Sequence, residues 1–348
     1  MKKVVVNTRC LSLEGVVGVK RYTLEILNRL EDKIDTIEPY KRKRTVWGHL
    51  WEQCYLPLKL KGRLLFSPSN TGPLSVRRQV VTIHDVATLD HPEAFNPRFA
   101  AWYRFLIPRL ANRVRRVITI SEFTKQRLLA YVPVEEERVV VIYNGVDQRF
   151  RPHTPESITQ VRKHLGLPGK RYVLSVGTLE PRKNIPRLIQ AWARIVDKLP
   201  DDIWLVLAGQ EGRGDLYARL SGLNMLPPRV HLTGYVPDEL LPALYAGAMV
   251  FVFPSLYEGF GLPPLEAMAS GVPVLTGNRT SLPEIVGDAG MMVDPTSVDQ
   301  IAEGLLSLIQ DETLRLELRR KGLDRAAQFS WDKTAQKTWE VLKEAASE

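Results

Sequence analysis

The stretch FVFPSLYEGFGLPPLEAMASG, residues 251–271, decides how the second half of the chain is built. Residues 249–253 are an apolar run and read as a buried strand, and Pro254-Ser255-Leu256-Tyr257 leaves its carboxyl end. Glu258-Gly259-Phe260-Gly261 reads as a loop whose glycines permit backbone conformations closed to other residues. Pro263 and Pro264 fit only the first turn of a helix, where no amide hydrogen is needed. Residues 265–270 continue that helix, and Gly271 ends it. Strand, loop and helix in this order form the repeating unit of a parallel α/β sheet.

The same unit recurs on both sides of this stretch. Apolar runs lie at residues 4–6, 64–66, 80–83, 117–120 and 139–142 in the first half. In the second they lie at 172–176, 204–208, 230–232, 249–253 and 272–276. Continuous rather than alternating apolar runs suit strands covered on both faces. Helical patterns fall between them, at 20–30, 100–111, 122–130, 185–199, 238–246, 298–308 and 313–329. The fold class is therefore α/β, with two doubly wound parallel sheets in series. The expected domains are residues 1–150 and 159–330, with the proline-bearing segment 149–158 as linker. Ser330-Trp331-Asp332 reads as a break and cap before a last helix, 333–346. Two such domains would leave a cleft beside the carboxyl ends of their strands, where ligands bind in this class.

Length and charge narrow the function. The 348 residues are 44% hydrophobic and 25% charged, which suits a globular protein with a substantial core. No apolar run reaches the roughly 20 residues of a membrane span. The opening MKKVVVNTRCLS reads as a first strand and not as a secretory leader. Two cysteines, Cys10 and Cys54, make no disulfide framework or metal cluster, so a cytoplasmic location is the default expectation. Residues 1–150 carry 26 basic against 15 acidic side chains, and residues 151–348 carry 22 against 24. The basic half suits an anionic membrane surface or a phosphorylated, lipid-linked acceptor. Residues 101–116, AWYRFLIPRLANRVRR, mix apolar and arginine positions as an interfacial helix would. A nucleic-acid partner is not expected, because Lys41-Arg42-Lys43-Arg44 is the only dense basic run and no aromatic residues interleave with it.

Three constellations carry chemistry. In residues 257–271 the amides of Phe260, Gly261 and Leu262 sit at a helix start, an arrangement that attracts phosphate. Glu258 and Glu266 flank it, and a carboxylate suits vicinal hydroxyls better than a phosphate. In VGTLEPRKN, residues 176–184, Gly177 follows a strand and Arg182 and Lys183 precede a helix that Asn184 caps. Cations are disfavoured beside a helix N-terminus, so a diphosphate is their better explanation. The sum of these parts is a nucleotide-sugar. In the first half, VVTIHDVATLD ends a buried strand in His84-Asp85, and Gly15 and Gly18 follow the first strand as a bare Gly-x-x-Gly. NTGP at 70–73 and YNGVD at 143–147 read as turns.

These motifs, with LPEIVGDAG at 282–290, closely resemble the retaining family-4 glycosyltransferases of GT-B fold, two Rossmann-like domains. The resemblance implies a nucleoside-diphosphate sugar donor held by the second domain and a saccharide or lipid-linked acceptor held by the first. It implies that Glu258 binds the transferred sugar's hydroxyls and Glu266 the ribose, while Phe260, Gly261 and Leu262 offer amides. Lys183 and Arg182 would stabilise the leaving diphosphate, Gly18 would let backbone approach it, and His84 would lie near the sugar's primary alcohol. Lys20 stands where many relatives have a second glycine. The absence of any Asp-x-Asp agrees with transfer without metal or cofactor. The pattern NTRCLS…GVKRYTLEI…IHDVATLD is similar to bacterial mannosyltransferases of surface-polysaccharide assembly, so GDP-mannose is the expected donor. A GT-B epimerase or a non-catalytic sugar-nucleotide sensor is the alternative.

Overall fold

The computed structural model describes residues 3–13, 17–39, 46–210 and 226–348. Gly15 and the Lys41–Arg44 run lie outside the described residues. The chain forms two units, Met1–Gly145 with Ser330–Glu348, and Val146–Phe329.

The first unit is built on β1 (Val4–Asn7), β2 (Ile34–Ile37), β3 (Leu64–Ser67), β4 (Gln79–Ile83), β5 (Arg116–Thr119) and β6 (Val139–Val141). They form one parallel sheet in the order β2-β1-β3-β4-β5-β6. β1, β3 and β4 are buried along their whole length, which is why their sequences do not alternate. The helix Trp331–Ser347 returns to this sheet and packs against the helix Val17–Leu30. Ser330 caps it, its hydroxyl accepting from the Asp332 amide at 3.1 Å. Trp331 sits edge-on to the fully buried Tyr22, whose hydroxyl lies 3.1 Å from Thr82 Oγ1 at the end of β4.

The second unit holds β7 (Arg171–Val176), β8 (Ile203–Ala208), β9 (Val230–Gly234), β10 (Val250–Phe253), β11 (Val274–Gly277) and β12 (Met291–Val293). Their order is β12-β11-β10-β7-β8-β9, again parallel. The helix Ile185–Ile195 buries Leu188, Trp192 and Ile195 among Val173, Leu205 and Val252. Burying each such large apolar side chain contributes about 1.5–3 kcal/mol, so this helix start is firmly held.

Two readings change. Segment 149–158 is not a linker throughout, because the helix Pro155–His164 begins inside it. Thr154 caps that helix and Pro155 takes its first position, so the second proline starts structure instead of interrupting it. The edge strands β2 and β12, short and partly polar or exposed, are additions to the expected set. Among the described residues, no helix is long and apolar enough to cross a membrane.

Candidate active site

In the second unit, residues 177–184 leave the carboxyl end of β7 and residues 254–262 leave that of its neighbour β10. Hydrogen bonds lace the two loops together: the Leu256 amide donates to the Arg182 carbonyl at 2.8 Å, and Ser255 Oγ lies 2.9 Å from the same oxygen. Asn184 adopts left-handed backbone, φ 61°, and its side chain does not cap the following helix. Its Nδ2 instead donates to the carbonyls of Pro254 at 3.0 Å and Pro295 at 2.6 Å, clamping three loops.

This lacing brings Arg182, Lys183 and Glu258 into one cluster. Lys183 Nζ donates to Glu258 Oε1 at 2.6 Å and lies 4.6 Å from the centre of the Phe253 ring. Arg182 Nη1 reaches both Glu258 oxygens at 3.2 Å, and its Nε donates to Glu180 at 2.9 Å. Ser255 Oγ donates to Glu258 Oε1 at 2.7 Å. Lys183 and Glu258 are both buried. Burial alone would raise the Glu258 pKa, but the charges of Lys183 and Arg182 and the bonds from Lys183 and Ser255 outweigh it and hold the carboxyl below its ordinary range. Glu258 is thus a charged acceptor shared by both cations, a direct pairing that the separate readings of the two motifs did not contain.

The turn after Glu258 is shaped by Ser281, whose hydroxyl donates to the carbonyls of Glu258 at 3.0 Å and Phe260 at 2.8 Å. Gly261 has φ 109°, and a Cβ there would stand 2.9 Å from Leu282 Cδ2. The left-handed backbone therefore favours glycine, and a side chain there would also have to displace the tip of Leu282. The helix Leu262–Ala269 follows, with Pro263 and Pro264 in its first turn, Glu266 buried on it, and Gly271 beyond its end at φ 74°. Its N-terminus carries the partial positive charge of a helix start. Gly177, its amide donating to the Ala208 carbonyl at 2.9 Å, lies against the Lys183 stem, and a Cβ there would stand 3.6 Å from Lys183 Cε.

In the first unit, His84 follows β4 and is buried. Its Nε2 is 2.9 Å from the Pro68 carbonyl, which can only accept, so Nε2 carries the proton. Burial lowers its pKa against the opposing influence of Pro68 and Asp85, so the ring is neutral and Nδ1 offers a lone pair. The His84 amide donates to Asn70 Oδ1 at 2.7 Å, and Tyr22 meets the ring edge-on at 4.9 Å. Gly18 is an exposed residue of the helix Val17–Leu30, and a Cβ there would meet nothing within 4 Å. The turn residue Gly72 is packed, its carbonyl accepting from Gln53 at 2.8 Å. Among the described residues, no cluster of three or more His, Cys, Asp or Glu is arranged to hold a metal.

Sequence reasoning missed Ser255, Ser281 and the structural use of Asn184. All three act by donating to carbonyls or a carboxylate of a neighbouring loop, and the only advance signal was their place beside strand ends.

Two doubly wound units with a cation–carboxylate cluster at the sheet's carboxyl ends define the architecture of GT-B glycosyltransferases. The model of "Glycosyl transferases group 1" matches residues 157–325, and that of "Glycosyltransferase Family 4" matches residues 67–150. The chain is 34% identical over 297 residues to the O-antigen chain mannosyltransferase B of Escherichia coli, covering 85% of this chain and 78% of that protein. It is 33% identical over 265 residues to the serotype-specific mannosyltransferase WbdA of Escherichia coli, covering 74% of this chain but 32% of that longer protein. Among solved structures, Anabaena HepE in complex with UDP and glucose superposes with a TM-score of 0.79 at 21% identity, covering 99% of this chain and 100% of that one. The chain belongs to the family-4 glycosyltransferases of GT-B fold.

Proposed function

We propose that the chain transfers mannose from GDP-mannose to a saccharide or lipid-linked acceptor, with retention of anomeric configuration and without a metal. The similarity to two mannosyltransferases of surface-polysaccharide assembly supports the sugar. The observation that carries the chemistry is the convergence of Lys183, Arg182 and Glu258 beside the start of the helix Leu262–Ala269. In the proposed reaction the bond from the anomeric carbon to the β-phosphate oxygen breaks, and the electron pair stays on that oxygen. Lys183, Arg182 and the helix start stabilise the charge that develops there. The acceptor hydroxyl attacks from the same face, and its proton passes to the departing phosphate oxygen. Glu258 accepts hydrogen bonds from the transferred sugar, Glu266 from the ribose hydroxyls, and the amides of Phe260, Gly261 and Leu262 contact the phosphate side.

The test is thermal shift with GDP-, UDP-, ADP- and dTDP-sugars. GDP-mannose at 100 times its Kd is expected to stabilise the protein by about 2.7 kcal/mol, and a shift with none of the four overturns the reading.

Peripheral contact with an anionic membrane belongs to the same proposal. The helix Pro97–Arg113 exposes Phe99 and Phe105, and Arg109 lies over the Phe105 ring at 4.0 Å. Sedimentation with vesicles containing anionic lipid at low salt should carry the protein down. Full recovery in the supernatant removes the membrane contact.

A further inference from the structure

Among the described residues, four that are not glycine hold left-handed backbone: Lys61, Asn184, Arg229 and Thr280, at φ 50°, 61°, 61° and 62°. Lys61 and Arg229 have unbranched side chains and sit in turns ahead of β3 and β9. Asparagine is among the few residues that visit this region readily. Thr280 is the exception, because a β-branched side chain there is an outlier whose strain persists only where its surroundings hold it. Residues strained in this way cluster at active sites. Thr280 lies on the loop that leaves the carboxyl end of β11, the strand next to β10.

Its surroundings hold it from both sides. On one side the Asn278 amide donates to the Val293 carbonyl at 2.9 Å, and Arg279 Nη2 donates to Asp294 Oδ1 at 3.0 Å. Asp294 Oδ1 also accepts from the Thr296 hydroxyl at 2.7 Å and amide at 2.8 Å. Those bonds, with the charge of Arg279, hold the Asp294 carboxyl below its ordinary range, so this anchor stays charged. On the other side Ser281 bonds the carbonyls of Glu258 and Phe260, and the helix Leu282–Val286 begins. Between the anchors the Thr280 hydroxyl donates to the Arg279 carbonyl at 2.7 Å and accepts from the Glu258 amide at 3.3 Å. Two consecutive residues thus grip Glu258 by both of its peptide groups, Thr280 at the amide and Ser281 at the carbonyl.

Glycine or asparagine would take this backbone more cheaply, but neither carries a hydroxyl on a stiff Cβ. Two heavy atoms on the threonine Cβ restrict χ1, so the hydroxyl stays aimed at the Glu258 amide. The strained residue and the fixed hydrogen bond therefore come together, on the backbone of the carboxylate that both cations share. We propose that Thr280 is a positioning residue that acts through Glu258. It fixes the backbone that carries the carboxylate, so that the sugar part of the donor is held in one orientation while the nucleotide part is held elsewhere. This deepens the transferase reading and rests on it. Its consequence is that the sugar's share of donor affinity depends on a residue with no donor contact of its own.

Calorimetric titration of the full-length protein with GDP-mannose and with GDP reads the sugar's share as the ratio of the two Kd values. Thr280→Val keeps the branch and loses the hydroxyl. It should weaken GDP-mannose about tenfold, the scale of one lost hydrogen bond to a charged group, and leave GDP unchanged. Thr280→Ser keeps the hydroxyl and should recover most of that loss. Thr280→Gly relieves the backbone, so it should melt no lower than Thr280→Val and still show the same split. In a Glu258→Ala background, Thr280→Val should cost GDP-mannose nothing further. Equal weakening of both ligands, an unchanged ratio in the valine and glycine variants, or the full loss in the Glu258→Ala background overturns the role of Thr280. Binding of neither ligand by the wild type would instead overturn the GDP-mannose transferase reading, and the role with it.

Discussion

Replacing Lys183 by alanine is expected to lower kcat by about 10²–10³-fold, the loss seen when one preorganised donor to a developing negative charge is removed. Lys183 is buried and its nearest anion is Glu258 at 2.6 Å, so no exposed lysine can take its place. The variant also leaves a buried carboxylate short of its closest cation. Breaking a buried pair from one side costs about 3–5 kcal/mol, and the lower figure applies here because Arg182 and Ser255 still donate to Glu258. A melting curve therefore accompanies the kinetics, and Lys183→Ala combined with Glu258→Gln should recover part of the stability without recovering turnover. Turnover within tenfold of wild type in the folded single variant would remove Lys183 from the proposed step.

Gly209→Ala should have the largest effect of any small substitution near the site. Gly209 follows β8, and a Cβ built there would stand 1.9 Å from the Gly177 carbonyl oxygen. That neighbour is backbone, tied by its own amide to Ala208, so it cannot swing aside as a side chain would. Overpacking of this kind costs about 1–3 kcal/mol, and the upper end is expected. For a unit of this size each kcal/mol is roughly 2–4 °C of melting temperature. Any relaxation must move Gly177, and with it the turn that carries Arg182 and Lys183, so affinity for the proposed nucleotide-sugar donor should fall together with stability. A variant that melts with the wild type and binds the donor normally would show that this approach of the two backbones has no role.

The architecture was legible because burial on both faces leaves an unmistakable signature in β1, β3, β7, β8 and β10. Of the four edge strands, β6 and β9 are apolar enough to read, but β2 and β12 are not: Ile34–Ile37 reads IDTI, half polar, and Met291–Val293 is three residues long. The helix Pro155–His164 was hidden by its own start, since a proline at the first helical position looks the same in sequence as a proline in a linker. In the site, Gly261, Pro263, Pro264 and Gly271 announce their backbone roles, because few other residues tolerate those conformations. The pairing of Glu258 with Arg182 and Lys183 spans about 75 residues and depends on β7 and β10 being neighbours, which strand count alone does not fix. Arg9 and Glu52, a buried ion pair of the first unit, are farther from legibility still. An arginine and a glutamate 43 residues apart carry no pattern until the sheet order puts them together.

The return of the helix Trp331–Ser347 to the first unit bears on how the protein is made. The second unit, Val146–Phe329, is one uninterrupted length of chain, whereas the first needs residues from either side of it. Trp331, Thr334, Thr338 and Leu342 are buried in that first unit and are synthesised only after the whole of the second. During synthesis, the unit begun first is thus the one finished second. Until the last helix arrives, Tyr22 lacks its Trp331 neighbour, and the sheet that carries His84 waits with one flank uncovered.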